Sequence, residues 1–376
     1  MTERFLLGIG KEGTVDQMKT FSKDGLMVVR AGALRRNCEI LLQALGVSEE
    51  DAKTAVDVFL QAELMGEESH GIRLFLHVLG RIKAGGDRAA THITVVMDRG
   101  AVAMWDANRS LGQVAAAMAM RRAIEKAREF GIGFVGVRNS NSYTSAKYYP
   151  LLAVQEGMIG ITFTNTSRKL MPPEGGYTPV LGNNPVSIAA PAGRHPPFVI
   201  DMACTKAAME RLLQAQERGE NIPDDWALDT EGNSTTDPAK AIAAGVLLPF
   251  GGYKAFGLAT AHEILTSVLF GGILFCGDSK GFLPYDGAMN TSYSFQAINI
   301  EWFMPLDEFK TRIDAVIEKI KSSKLRPGID RILVPGERSA NELQKRLESG
   351  IPLQQRVFDD LTRWSRVLGV ASLDAV

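Results

Sequence analysis

One histidine stands apart from the other four. His70 lies in Glu68-Ser69-His70-Gly71, where a serine hydroxyl can orient an imidazole and a glycine lets a ligand approach the backbone. An imidazole held in that way is a candidate proton donor or acceptor. The competing reading is a histidine that merely caps a helix. His77 and His262 fall in helical patterns, and His92 and His195 fall in turn-like ones. No H-E-x-x-H occurs, nor a histidine pair at ligand spacing with nearby carboxylates, so a protein-built metal site is not expected.

Two G-x-G-x-x-G matches bear on nucleotide binding. Gly131-Ile132-Gly133-Phe134-Val135-Gly136 has its glycines within a strand pattern, so it offers no loop opening a helix N-terminus. Gly8-Ile9-Gly10-Lys11-Glu12-Gly13 is better placed, but Arg30 stands where the ribose-binding acid would be expected. An ordinary N-terminal arm is the better reading. Cys38, Cys204 and Cys276 have no C-x-x-C spacing, which excludes a disulfide framework and a zinc cluster and leaves small buried apolar residues.

The elements that must position these residues follow from periodicity. Residues 33–44 read as a helix, and Ser48 before Glu49, Glu50 and Asp51 caps a second helix running to about Met65. Ile72, Phe75, Leu76, Leu79 and Ile82 recur at helical spacing up to Gly85-Gly86, so the His70 motif occupies the corner between two helices. Strands are expected at 93–97, 102–105, 132–137, 159–164, 186–190 and 198–200, and helices at 113–130 and 145–156. The 113–130 helix should bury Ala117, Met120, Ala123, Ile124, Ala127 and Phe130, and the last two strands should be buried. Three runs end in polar residues, at Asn139 to Ser142, at Asn165 to Ser167 and at Asp201, and such strand ends bind ligands in open α/β sheets. Further helices are expected at 255–269, 306–320, 340–347 and 355–368.

The chain of 376 residues is 45% hydrophobic and 23% charged, ordinary for a globular protein that commonly divides in two at this size. Its 42 Lys+Arg against 43 Asp+Glu leave a formal charge of −1, so no field gathers nucleic acid or an anionic membrane. There is no apolar run of roughly 18 residues for a membrane span, and the start lacks a leader pattern. A cytoplasmic protein is expected.

Taken in order, Glu68-Ser69-His70-Gly71, Ile82-Lys83-Ala84-Gly85-Gly86, Asn165-Thr166, Leu181-Gly182-Asn183-Asn184-Pro185, Asp201-Met202-Ala203, Trp226-Ala227-Leu228-Asp229, Gly251-Gly252-Tyr253-Lys254 and Pro335-Gly336-Glu337 resemble the malate/L-lactate dehydrogenase family, which is separate from the Rossmann dehydrogenases. The resemblance runs from about residue 28 to the C-terminus. It implies an α/β fold: a non-Rossmann nicotinamide-binding sheet domain at 91–300, plus a mainly helical domain in which 301–376 packs with 24–90. It also implies NAD or NADP as cofactor, a homodimer, a small carboxylate substrate, and hydride transfer at the carbon α to that carboxylate. Cofactor contacts would fall on Thr166, on Asp201, Met202 and Ala203, on Lys254, and on Pro335, Gly336 and Glu337. Lys254 would supply a cation for phosphate, and the glycines beside it would let backbone N–H groups come close.

The chain departs from this family at informative places. Ser142 stands where members usually carry a proton-exchanging histidine, in Asn139-Ser140-Asn141-Ser142-Tyr143-Thr144. Leu74 stands where many carry a carboxylate-clamping arginine, with Arg73 one position early and so turned about 100° on a helix. An asparagine of Leu181-Gly182-Asn183-Asn184-Pro185, and Cys204 after Asp201-Met202-Ala203, also replace common threonines. His70 is then the acid that remains, with Ser69 beside it, Asp201 as the carboxylate expected to orient it and raise its pKa, and Ser142, Tyr143 and Arg73 as substrate contacts. A 2-oxo/2-hydroxy acid is the leading substrate class. A cyclic ketimine acid, which arrives protonated and needs less acid help, is the alternative, and a cofactor-binding homologue without redox activity is a further one.

Overall fold

The computed structural model describes residues 20–21, 26–279 and 281–373; the Gly8–Gly13 motif lies outside them. Chain order begins with β1 (Thr20–Phe21) and β2 (Leu26–Val29), followed by helices α1 (Ala31–Ala44) and α2 (Glu49–Leu64). Ser48 caps α2 by accepting the Asp51 N–H, and Glu49, Glu50 and Asp51 face the positive end of its dipole. A single 3₁₀ turn, Glu68–His70, leads through Gly71 into α3 (Ile72–Ala84), which Gly85 ends at φ 82°. The His70 motif is thus a corner between two helices, as its sequence predicts.

Next come β3 (Thr94–Arg99), β4 (Val102–Asp106), α4 (Gly112–Phe130), β5 (Ile132–Ser140), α5 (Tyr148–Gln155), β6 (Met158–Thr164), β7 (Val186–Ala190) and β8 (Phe198–Met202). After α6 (Met209–Arg218), β9 (Ala227–Leu228), α7 (Pro238–Ala244), β10 (Val246–Leu247) and α8 (Tyr253–Glu263), a π-helical turn at Ile264–Val268 precedes β11 (Thr291–Asn299). The chain closes with α9 (Leu306–Lys321), α10 (Glu337–Ser349), β12 (Ile351–Gln354) and α11 (Gln355–Leu368).

Seven strands form the main sheet in the order β3-β4-β5-β11-β6-β7-β8. Only β4 and β5 pair in parallel; the other neighbours are antiparallel. Following the pairings across, β4, β5, β6 and β8 all run the same way. Their carboxyl ends, at Asp106, Ser140, Thr164 and Met202, therefore share one edge of the sheet. Gly133 and Gly136 point to opposite faces of β5. A Cβ at Gly133 would lie 1.9 Å from the Ala123 carbonyl of α4, and one at Gly136 would lie 2.2 Å from the Phe270 ring. These glycines let layers approach the sheet, and Gly131 closes α4 at φ 78°, so the second glycine motif serves packing rather than phosphate.

A second core joins the chain ends. Apolar side chains of α1, α2 and α3 pack with Leu343, Ile351, Leu353, Phe358 and Leu361, and β12 pairs with β2. Helix α9 is seated elsewhere, with Ile317 against Ala192 in the β7–β8 turn. Among the described residues no helix is long and apolar enough to cross a membrane.

Several expectations are corrected. Phe130 is exposed, because α4 turns its last residue away from the sheet. Strand β8 is a half-buried edge strand with one neighbour rather than a buried one. The helix expected from residue 145 starts at Tyr148, since Ser145 and Lys147 are engaged in polar contacts. The central strand β11 was not expected at all. Its Ser292 and Ser294 are fully buried beside Tyr293 and Phe295, so it shows neither an apolar run nor a polar outer face.

Candidate active site

The 3₁₀ turn presents His70 with its Nδ1 2.9 Å from Ser69 Oγ. Its backbone N–H donates to the Glu67 carbonyl at 2.8 Å. Among the described residues Nε2 has no hydrogen-bond partner, and the ring keeps solvent access. Neighbouring protein atoms nonetheless crowd it. That desolvation lowers the imidazole pKa from its ordinary value, with Glu67 acting against the shift and Lys147 adding to it.

Asp201, at the end of β8, does not orient His70, which corrects the expectation from sequence. Its Oδ2 accepts the backbone N–H of Lys147 at 2.9 Å. Burial, then the Glu67 carboxylate, push its pKa up to about 7 against the Lys147 ammonium and that N–H. The carboxylate that acts on His70 is Glu67, and His70 is lowered rather than raised. Glu67 pairs with the Lys147 ammonium and accepts Ser145 Oγ at 3.0 Å. Lys147 Nζ also lies 3.1 Å from Ser339 Oγ in α10. Glu67 and Lys147 were missed from sequence; the only signal was an acid directly before Glu68-Ser69-His70 and a lysine in an otherwise apolar run.

Three substrate candidates fare differently. Ser142 is half-buried on the loop after β5. Its hydroxyl accepts the Thr144 N–H at 3.3 Å, its N–H lies 3.4 Å from Met289 Sδ, and its carbonyl accepts from Gln113 at 2.9 Å. It shares the sheet edge with Asp201, and none of its hydrogen bonds among the described residues is to His70. Tyr143 is corrected: it is buried, stacked between Tyr149 and Tyr293 with centroids 4.9 and 4.8 Å away, so it shapes the loop from beneath. The half-exposed Arg73 guanidinium pairs with Glu210 at the start of α6.

Beside this cluster the cofactor candidates assemble into one wall. Asn184 donates to the Ala259 carbonyl of α8 at 3.0 Å, and its own carbonyl lies 2.7 Å from His262 Nδ1. The Cys204 N–H donates to Asn183 O at 2.7 Å, and its carbonyl accepts from Phe250 at 3.0 Å, just before Gly251-Gly252-Tyr253-Lys254. Burial pushes the Cys204 thiol up to about 12, so it behaves as a small apolar residue. Two buried oxygens in this wall, Thr166 Oγ1 and Asn184 Oδ1, have no hydrogen-bond partner. Both sit against Gly182, where a Cβ would come within 1.9 Å of Thr166 Oγ1 and 3.0 Å of Asn184 Oδ1. Met202 is exposed at the strand end, Ala203 is half-buried after it, and exposed Lys254 opens α8 with no ion-pair partner among the described residues.

The last segment, Pro335-Gly336-Glu337, packs on the first half of β8. Pro335 O accepts the Val199 N–H at 3.2 Å, and a Cβ on Gly336 would approach Pro197 O to 2.9 Å. The Glu337 carboxylate is engaged by Lys321 at 2.6 Å and by the Val334 N–H at 3.2 Å, so it braces α10 and is not free for a ligand.

An imidazole with an open Nε2, a polar wall with unsatisfied oxygens and an exposed cation form an arrangement suited to acid–base work on an anionic ligand. Comparison with known proteins shows the family. "Malate dehydrogenase" from Pyrococcus abyssi is 39% identical over 342 residues, 89% of this chain and 93% of that protein. The solved sulfolactate dehydrogenase from Methanocaldococcus jannaschii superposes with a TM-score of 0.86 at 37% identity, over 93% of this chain and 99% of that one. "(2R)-3-sulfolactate dehydrogenase (NADP(+))" from Chromohalobacter salexigens is 31% identical over 86% of this chain and 94% of its own. The malate/L-lactate dehydrogenase family model matches residues 29–362, and with nearly the whole chain so covered, the protein belongs to that family.

Proposed function

We propose that the protein is an NAD(P)-dependent oxidoreductase that moves a hydride between nicotinamide and the α-carbon of a small 2-oxo or 2-hydroxy acid. The observation that carries this reading is His70, with Nε2 open, linked through Glu67 and Lys147 to Asp201 at the sheet edge where the orphaned Thr166 and Asn184 oxygens lie. The residues present fit a dinucleotide. Thr166 and Asn184 offer unsatisfied polar atoms around the Gly182 cradle, Lys254 offers a cation for phosphate, and Asp201, Met202 and Ala203 line the neighbouring strand end.

When bound, the nicotinamide supplies or accepts the hydride. The chain's own residues handle the proton and the geometry. In reduction His70 Nε2 donates a proton to the oxygen that gains charge at the α-carbon; in oxidation the neutral ring takes it back. Ser69 fixes the ring through Nδ1. Asp201, whose pKa is raised by burial and by the Glu67 carboxylate, is held in place by the Lys147 N–H. We further read the enzyme as a cytoplasmic homodimer. In support, its three cysteines are free thiols, and Ile264, Val268, Leu269, Leu274 and Phe275 expose apolar side chains along one segment for a second copy.

A second reading, reduction of a cyclic ketimine acid, is favoured by Ser142, whose hydroxyl is engaged by the Thr144 N–H, and by the pairing of Arg73 with Glu210. The test is NADH and NADPH oxidation against oxaloacetate, sulfopyruvate and other 2-oxo acids, with cyclic imino acids in parallel. Turnover of 2-oxo acids at least tenfold above that of imines supports the leading reading, and the reverse ratio supports the second. Tight cofactor binding with no turnover of either class would replace both with a redox-inactive family member.

A further inference from the structure

We propose that Lys147 is the positioning residue of the active site, acting through Glu67 to leave His70 as an imidazole with no carboxylate of its own. The proposal rests on the reading of His70 as the proton carrier. Lys147 is almost fully buried, an expensive place for an ammonium unless it is paired. Three segments converge on it. Its Nζ pairs with Glu67 and lies 3.1 Å from Ser339 Oγ of α10, while its backbone N–H holds Asp201 of β8. Glu67 in turn accepts Ser145 Oγ at 3.0 Å and, through its carbonyl, the His70 N–H at 2.8 Å.

The physical consequence is electrostatic. Glu67 is bonded through its own backbone to the His70 turn, and a bare carboxylate there would pair with the imidazolium and trap it. The charged groups that act on His70 are the Glu67 carboxylate and the Lys147 ammonium; Asp201 faces those same two. Glu68 is turned away to Arg346 at 3.0 Å, and Ser69 Oγ occupies Nδ1. With Lys147 in place the Glu67 charge is compensated and the proton on His70 Nε2 remains exchangeable. The same lysine joins α10, from the C-terminal segment, to the catalytic turn, so His70 and the sheet edge are held in register.

The experiment is a proton NMR titration of the histidines in the full-length protein, with the His70 signal assigned by its loss in His70→Asn. It needs no substrate, so inactivity of the parent enzyme would overturn the proposed function without touching this readout. Lys147→Met should move the His70 midpoint upward by roughly one pH unit, because Glu67 is left uncompensated, and Glu67→Gln should move it downward. The double variant should return close to the parent, and Lys147→Arg, which keeps the charge, should leave the curve in place. If Lys147→Met does not fold, the direction of the Glu67→Gln shift decides. Curves that superimpose on the parent's in the folded single variants would overturn the proposal and leave Lys147 a structural brace.

Discussion

Ser69 Oγ lies 2.9 Å from Nδ1 of His70, which commits one ring nitrogen to the protein and leaves the other to the cleft. With Nδ1–H donating to the hydroxyl, the ring keeps that hydrogen in both charge states; the imidazolium is then a proton donor at Nε2 and the neutral ring an acceptor there, as the two directions of the reaction need.

Loss of that donor should therefore appear in turnover rather than in cofactor binding. His70→Asn is expected to lower kcat by about 10²- to 10⁴-fold while NAD(P)H affinity stays within a few-fold. Ser69→Ala, which frees the ring without removing it, should cost less, about 1 kcal/mol in kcat/KM. Steady-state kinetics and a fluorescence titration of cofactor check both, and unchanged turnover in His70→Asn would return His70 to a helix-capping role.

The corner beneath His70 contains a second acid, Glu63, almost fully buried, whose carboxylate accepts the Ile72 N–H at 2.8 Å. Burial is the main cause that raises its pKa from 4.5 to about 7, with Glu68 adding and Ile72 and Arg346 opposing. Because the folded state holds the proton more tightly than the unfolded chain, stability falls as pH rises from about 4.5 to 7. The loss is at most about 3 kcal/mol. Glu63→Gln keeps an acceptor for Ile72 and removes the titration, so relative to the parent it should gain stability between pH 5 and pH 8. Urea denaturation at the two pH values measures this, and a parent-like slope in the variant would show that Glu63 stays charged.

On the cofactor wall, two substitutions separate shape from charge. Gly182→Ala places a Cβ within 1.9 Å of Thr166 Oγ1 and should weaken NAD(P)H binding at least tenfold. Gly257→Ala, in α8 with open space around it, should leave binding alone and stabilise the helix by about 0.5–1 kcal/mol. Lys254→Ala removes the exposed cation and should cost roughly 10- to 100-fold in affinity, with a weaker dependence on salt. A binding constant unaffected by either Gly182→Ala or Lys254→Ala would move the cofactor site away from this wall.

Legibility followed from how each residue's role is encoded. The corner at Ser69-His70-Gly71 was readable because caps, periodicity and a glycine stop flank it on both sides. The shared edge of strand ends was readable because apolar runs there finish in polar residues. Lys147 and Glu67 were not readable, since their partnership spans 80 residues and depends on a loop path no local pattern specifies. Asp201 was assigned the wrong partner for the same reason: its position in the strand end was correct, but which N–H it meets is set by the turn before α5. Strand β11 escaped although Ser292-Tyr293-Ser294-Phe295-Gln296-Ala297 alternates as a half-buried strand does; the structure buries its serine face as well, because β11 lies at the centre of the sheet.

The family resemblance implies a proton-exchanging histidine at the position this chain fills with Ser142, and the surroundings of Ser142 make the consequence testable. Its hydroxyl already accepts the Thr144 N–H, and its main chain is fixed on both sides by Gln113 and Met289, so the loop is held without help from a catalytic side chain. No base is bonded to the hydroxyl, which leaves it a poor proton source. If 2-oxo acids are the substrates, Ser142→His adds a second acid at the sheet edge shared with Asp201, and their turnover should rise. If the substrates are ketimines, which arrive protonated, an added imidazole contributes bulk and a partial positive charge beside a cation, and imine turnover should fall. Losing the Thr144 contact should cost about 1 kcal/mol of stability in either case, so the comparison is made at a temperature well below unfolding. The measurement is steady-state turnover of matched 2-oxo and cyclic imino acids by parent and variant across pH 6 to 9. Opposite effects on the two classes would tie Ser142 to the choice of substrate, whereas equal effects would leave it a residue that shapes the loop and nothing more.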